Sequence, residues 1–103
     1  MYASHVEVQL QSGKTAEAIQ RTKDLIPKIG EIPKIKRFMV LDKGDDNFLF
    51  IAFYDTAAEQ EAAGALAKEL LGRLEHFYAA PPERIQVEVP INHSYEQGEA
   101  IAL

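Results

Sequence analysis

The sequence predicts an α+β fold: a four-stranded antiparallel sheet with two helices on one of its faces, in the order β-α-β-β-α-β. Three observations predict it. Alternation of apolar and polar residues marks strands near both ends of the chain, at residues 2–10 and 84–91. Helical periodicity fills two stretches, about 15–30 and 56–79. Between them lies Ile35 to Tyr54, two runs rich in β-branched and aromatic residues joined at Lys43-Gly44-Asp45-Asp46-Asn47, the composition of a β-hairpin. With 103 residues there is material for one core. The domain is expected over residues 1–91, with 92–103 a C-terminal tail or a partner-contacting arm.

In the first strand Tyr2, Val6, Val8 and Leu10 share one face, while Ala3, His5, Glu7 and Gln9 share the other. Gln11-Ser12-Gly13-Lys14 is a turn, and Ser12 or Thr15 is placed to cap the helix that follows. That helix carries Ala18, Ile19, Thr22, Leu25, Ile26 and Ile29 on its buried side, with a kink expected at Pro27. After the hairpin, Thr56 and Glu59 form a capping-box signature. One long helix is predicted from there to about Ala79, with Ala62, Ala63, Leu66, Ala67, Leu70, Leu74 and Phe77 as its apolar stripe. Pro81-Pro82 ends it, and the last strand puts Ile85, Val87, Val89 and Ile91 on one side. Pro90 places that strand's end at a sheet edge or a bulge.

Composition narrows the function classes. The chain is 47% hydrophobic and 26% charged, with net charge −5 and pI about 5.1. An acidic surface disfavours nucleic acid and anionic membranes, because both need clustered basic groups. No apolar run is long enough for a membrane span, and Met1 to His5 has no signal-peptide pattern. Zero cysteines exclude disulfides and thiolate sites. A cytoplasmic protein is expected. The histidines at 5, 76 and 93 have no metal-ligand spacing, so no metal is expected.

Right-handed crossovers put both helices on one side of such a sheet and leave its other face open. The run Phe48 to Tyr54 is apolar on both faces apart from the tyrosine hydroxyl, so either Phe48, Phe50 and Ala52 or Leu49, Ile51 and Phe53 face outwards. Several large apolar side chains on an open sheet exceed what a monomer usually exposes. A two-fold homodimer with open faces packed together is expected. Glu7 and Gln9 are expected beside Gln86 and Glu88 on that face, making it half apolar and half charged.

The chain resembles the antibiotic biosynthesis monooxygenase-like proteins of the dimeric α+β barrel, ferredoxin-like superfamily. The resemblance runs from Tyr2 to about Ile91. It is carried by Ser12-Gly13-Lys14, Leu25-Ile26-Pro27, the strand leading into Tyr54-Asp55-Thr56, and Tyr78-Ala79-Ala80-Pro81-Pro82-Glu83. Where the family usually has Pro-Gly-Phe before the second strand, this chain has Pro33-Lys34-Ile35. The resemblance implies a small aromatic or quinone-like ligand oxidised by O₂ with no metal or flavin cofactor. The alternative is a non-catalytic dimeric module for ligand binding or assembly.

Candidate residues follow. His5, as a histidine, is the candidate acid/base, with Tyr54 the second catalytic candidate. Glu7, Phe50, His76 and Phe77 are candidates for the ligand pocket. Haem-degrading members of the superfamily carry a histidine where His76 falls, but they also use a tryptophan, and this chain has none. The competing reading is a solvated barrel end or a salt-bridged strand pair for His5 and Glu7, and ordinary core packing for the aromatics.

Overall fold

The computed structural model describes residues 1–95. Its elements are β1 (Tyr2–Gln9), α1 (Thr15–Ile29), β2 (Arg37–Asp42), β3 (Asn47–Tyr54), α2 (Ala57–Ala62), α3 (Gly64–Gly72), a 3₁₀ turn (Glu75–Phe77) and β4 (Glu83–Glu88). The four strands form one antiparallel sheet in the order β2-β3-β1-β4. This is the expected βαββαβ arrangement. Of the tail expected at 92–103, residues 96–103 lie outside the described residues.

Register decides which residues share a face. Tyr2, Ser4, Val6 and Val8 of β1 align with Tyr54, Ala52, Phe50 and Phe48 of β3. These pairs lie under the helices, where Val8, Phe48 and Tyr54 are fully buried. Burying each such side chain contributes about 1.5–3 kcal/mol before entropy is counted. Ala18, Leu25 and Ile29 of α1, with Leu70 of α3 and Leu74 beyond it, complete the core. Ile26, expected in the buried stripe, is 48% exposed.

The open face carries Leu49, Ile51 and Phe53, which settles the parity of β3. Its composition corrects the expectation for β4. The ladder pairs Glu7 with Glu83, His5 with Ile85 and Ala3 with Val87, so Gln86 and Glu88 lie on the opposite face, beside Ser4 and Tyr2. Polar and apolar groups are therefore graded along the strands. One row across the sheet is Arg37, Phe53, Ala3 and Val87, the next Met39, Ile51, His5 and Ile85, the third Leu41, Leu49, Glu7 and Glu83. Leu41, Ile85 and Val87 stand 40%, 45% and 42% exposed there.

Three local details stand out. The long second helix is broken. Its capping box is present, with Thr56 and Glu59 exchanging bonds of 3.1 and 3.3 Å. The segment then divides into α2, α3 and the 3₁₀ turn, with breaks at Ala63 and at Arg73-Leu74. Pro27 lies in the last turn of α1, where a proline forfeits a single backbone bond, and the helix runs on to Ile29. The start of α1 is held from a distance: Asp46, at the hairpin tip, accepts from the Gly13 N–H at 3.1 Å and the Thr15 hydroxyl at 2.5 Å. Those bonds, the Thr15 hydroxyl first, hold the Asp46 carboxyl below its ordinary pKa. The tip supplies that carboxylate by placing Gly44, Asp45 and Asp46 all at positive φ.

Candidate functional site

A cavity of about 60 Å³ lies between the covered face of the sheet and the helices. Val6, Leu25, Phe38, Phe50 and Leu70 are among its apolar walls. Four polar side chains reach it: Ser4, Thr22, Tyr54 and Arg84. Two are committed to the protein. The Thr22 hydroxyl donates to the Ala18 carbonyl at 2.7 Å, and the Ser4 oxygen accepts from Arg84 Nη2 at 2.7 Å and from Gln60 Nε2 at 3.2 Å.

The other two are not fully used. The Tyr54 hydroxyl is buried without a hydrogen-bond partner. Native proteins seldom leave a buried hydroxyl orphaned, since the loss is about 1–3 kcal/mol. Burial raises the Tyr54 pKa, and the positive charge of Arg84 partly opposes that rise. The phenol is thus a donor, not a base, at neutral pH. Arg84 is half-buried and held by the Ser4 hydroxyl and the Gln60 backbone carbonyl, the latter at 3.3 Å. Among the described residues it makes no ion pair. A guanidinium fixed by neutral groups, with N–H donors to spare, has the chemistry that oxyanion recognition uses.

Three elements create this arrangement. Strand β1 places a serine in an otherwise apolar row. Helix α2 turns Gln60 inwards to 2% exposure, one turn before the buried Ala63. Strand β4 places Arg84 opposite Val6. At Gly64 a Cβ would lie 3.4 Å from Arg84 Nη1, an ordinary contact distance, so the start of α3 packs beside the guanidinium.

Outside Arg84 lies a larger cleft of about 720 Å³, walled by Gly64, Lys68, Gly72, Tyr78 and Ala79–Pro82. Val6, Leu71 and Arg84 border both spaces. The Tyr78 hydroxyl donates to the Leu71 carbonyl at 2.8 Å, tying the segment after the 3₁₀ turn to the end of α3.

The sequence-derived candidates divide between the two sides of the sheet. Tyr54 and Phe50 line the inner cavity. His5 and Glu7 lie on the open face, so the sheet stands between these two candidates and Tyr54. Glu7 is paired with Lys43 at 2.7 Å, and that bond lowers its pKa. His76 is exposed, its ring 4.0 Å from that of Phe77, while Phe77 is buried in the core away from the cavity walls. Ser4, Gln60 and Arg84 were not among the candidates. Two left a trace in the sequence: Ser4 shares the parity of Val6 and Val8, and Gln60 falls in line with Ala63, Ala67 and Leu70.

No family model matches the sequence, and no curated protein matches it. Solved structures do. A protein of unknown function from Nitrosomonas europaea, NE2512, superposes with a TM-score of 0.76 at 17% identity, over 91% of this chain and 93% of that one. A second N. europaea protein, provisionally described as an antibiotic biosynthesis monooxygenase, gives 0.71 at 19% identity, over 88% and 100%. The chain has the antibiotic biosynthesis monooxygenase-like fold. An uncharacterised NIPSNAP domain protein from Burkholderia xenovorans matches the same fold at TM-score 0.66 and 17% identity, over 93% of this chain and all of that one. At these identities the fold is what is shared. Among the described residues no helix is long and apolar enough to cross a membrane.

Proposed function

We propose that this chain is a homodimeric, cofactor-independent oxygenase that binds a small acidic aromatic molecule, of the anthrone or naphthol kind, as its anion. The supporting observation is that Arg84, which has no carboxylate partner among the described residues, and the orphaned Tyr54 hydroxyl line the same apolar cavity. Ionisation of the ligand releases a proton to water in the outer cleft. Arg84 and the Tyr54 hydroxyl stabilise the charge on the ring oxygen, where it is delocalised from the reacting carbon. That carbon gives an electron pair to O₂, forming a C–O bond and a hydroperoxide. Cleavage of the O–O bond with loss of water leaves a carbonyl, so a CH₂ group and one O₂ become C=O and H₂O.

The open sheet face is assigned to a second copy of the chain. Two such faces burying about 800 Å² each would form an interface of standard size. His5 and Glu7 then lie at the seam and not at the reacting carbon.

Oxygen uptake with a panel of anthrones and naphthols tests the reaction. Turnover is expected, with Arg84→Met and Tyr54→Phe each lowering kcat/KM by about 10²-fold or more and His5→Ala leaving it unchanged. A panel with no uptake would overturn the enzyme reading in favour of a ligand-binding module.

A further inference from the structure

The outer cleft beside Arg84 has a charge pattern of its own. At about 720 Å³ it falls within the range of about 300–1,000 Å³ usual for small-ligand pockets. One wall is a single face of α3 continued into the 3₁₀ turn, where Gly64, Lys68, Gly72 and Glu75 recur at helical spacing. Glycine at 64 and 72 leaves that face bare on either side of Lys68. A Cβ at Gly72 would meet nothing within 4 Å, so the wall there is open to an occupant.

Three charged side chains border the cleft: Lys68, Glu75 and Arg84. Neither cation makes an ion pair among the described residues, whereas Lys14, Lys28, Lys36, Lys43 and Arg73 each do. Lys68 stands about one helical turn, roughly 5.4 Å of rise, from the Gly64 that packs beside the guanidinium. Glu75 stands towards Tyr78, whose pKa is raised by burial first and then by the Glu75 charge. The cleft is therefore positive towards Gly64 and negative towards Tyr78.

A ring whose ionised oxygen meets Arg84 has this second, unpaired cation about a turn of helix away. We infer that Lys68 is the recognition site for a carboxylate on the same ligand, so that the substrate class is an anthrone or naphthol bearing a carboxylic acid. Lysine suits the task. Its ammonium is a compact charge with three donors on a flexible stem, and its exposure lets the carboxylate keep part of its water. Glu75 on the same wall disfavours a group with two charges, such as a phosphate monoester. The inference rests on the reading that the ring oxygen faces Arg84, but the contribution of the carboxylate is measured separately.

Equilibrium binding of a hydroxyanthraquinone carboxylic acid and of its methyl ester tests it. The acid is expected to bind the wild type about three- to five-fold more tightly at low salt, the size of an exposed charge pair. That preference should shrink as salt rises. Lys68→Met should remove it and leave the ester's affinity unchanged, and Lys68→Glu should reverse it. Arg84→Met should weaken both compounds and leave the ratio between them. Lys68 is exposed, so its variants should melt as the wild type does. Equal affinity of acid and ester for the wild type would overturn the inference and leave the reading of Arg84 standing. A preference that survives Lys68→Met but is lost in Arg84→Met would overturn it as well, because Arg84 would then hold the carboxylate. A preference lost in Lys68→Met, with ester binding indifferent to Arg84→Met, would uphold the carboxylate site and remove the reading of Arg84. Binding of neither compound would overturn both.

Discussion

The two faces of this sheet are built from the same strands and have opposite consequences. Under the helices, Phe48, Phe50 and Tyr54 of β3 are enclosed, and the polar exceptions (Ser4, Gln60, Arg84) bond to one another beside a cavity. On the open face, Leu49, Ile51 and Phe53 of the same strand are half-covered, and polar character rises along the strands from the Phe53 row to the Glu7 row. The covered face can hold a charged guanidinium because the Ser4 hydroxyl and the Gln60 carbonyl accept from it. The open face has a close ion pair, Lys43–Glu7, at the hairpin end of the strands, where water screens it. The lesson is that two apolar faces of one strand need not be equivalent: one is a finished core, the other a half-exposed apolar surface.

Substitutions on the two faces should separate these roles. The largest effect is expected from Phe48→Ala, which removes a fully buried ring and leaves a cavity. Denaturant melts should show a loss of about 3–5 kcal/mol. Ile51→Asp on the other face should spare the fold and abolish the dimer. Light scattering at micromolar concentration is expected to give twice 11.5 kDa for the wild type and 11.5 kDa for the variant. A wild-type monomer would remove the case for a partner-shaped face.

Tyr54→Phe deletes a hydroxyl with no partner, so stability should rise by up to about 1 kcal/mol even as activity falls. Its pH dependence is also fixed. Burial raises the Tyr54 and Tyr78 phenols above 10.0, so the folded state holds those protons more tightly than the unfolded chain. Their contribution is complete below pH 10 and is lost as pH climbs towards the folded values. Alkaline unfolding followed by circular dichroism should begin above pH 10 and move to higher pH in Tyr54→Phe, with Tyr78 carrying the remainder. The smallest effect concerns the approach to β2, where Lys34 sits at φ 63°. A lysine in that left-handed region is strained, and Lys34→Gly should stabilise by about 1 kcal/mol or less in the same melts.

Much of this fold was legible in the sequence. The alternation of Tyr2 to Leu10, the hairpin composition of Ile35 to Tyr54 and the Thr56–Glu59 capping box each specify local structure on their own. Three features were not legible. The break at Ala63-Gly64 leaves little mark, because alanine is neutral between a continuous and a divided helix and glycine is tolerated in both. The side of β4 that faces the helices depends on register with β1, and the alternation of that strand alone does not fix register. At a sheet edge, Gln86 and Glu88 reach solvent from the helix side, so polarity misled about which way the strand faces. The candidate site was half legible. Tyr54 and Phe50 stood out as aromatics, but Arg84 read as a surface residue, because nothing local shows that Ser4 and Gln60 come 80 and 24 residues away to hold it.

The central claim is that ligand binds on the covered face, at Arg84 and Tyr54. Amide and arginine-side-chain NMR during titration with a hydroxyanthraquinone tests it most directly. Shifts are expected at Arg84 Nε and at the amides of Ser4, Tyr54, Gly64 and Leu71, all lost in Arg84→Met. Shifts confined to His5, Ile51 and Ile85 would put the ligand on the open face and contradict the account.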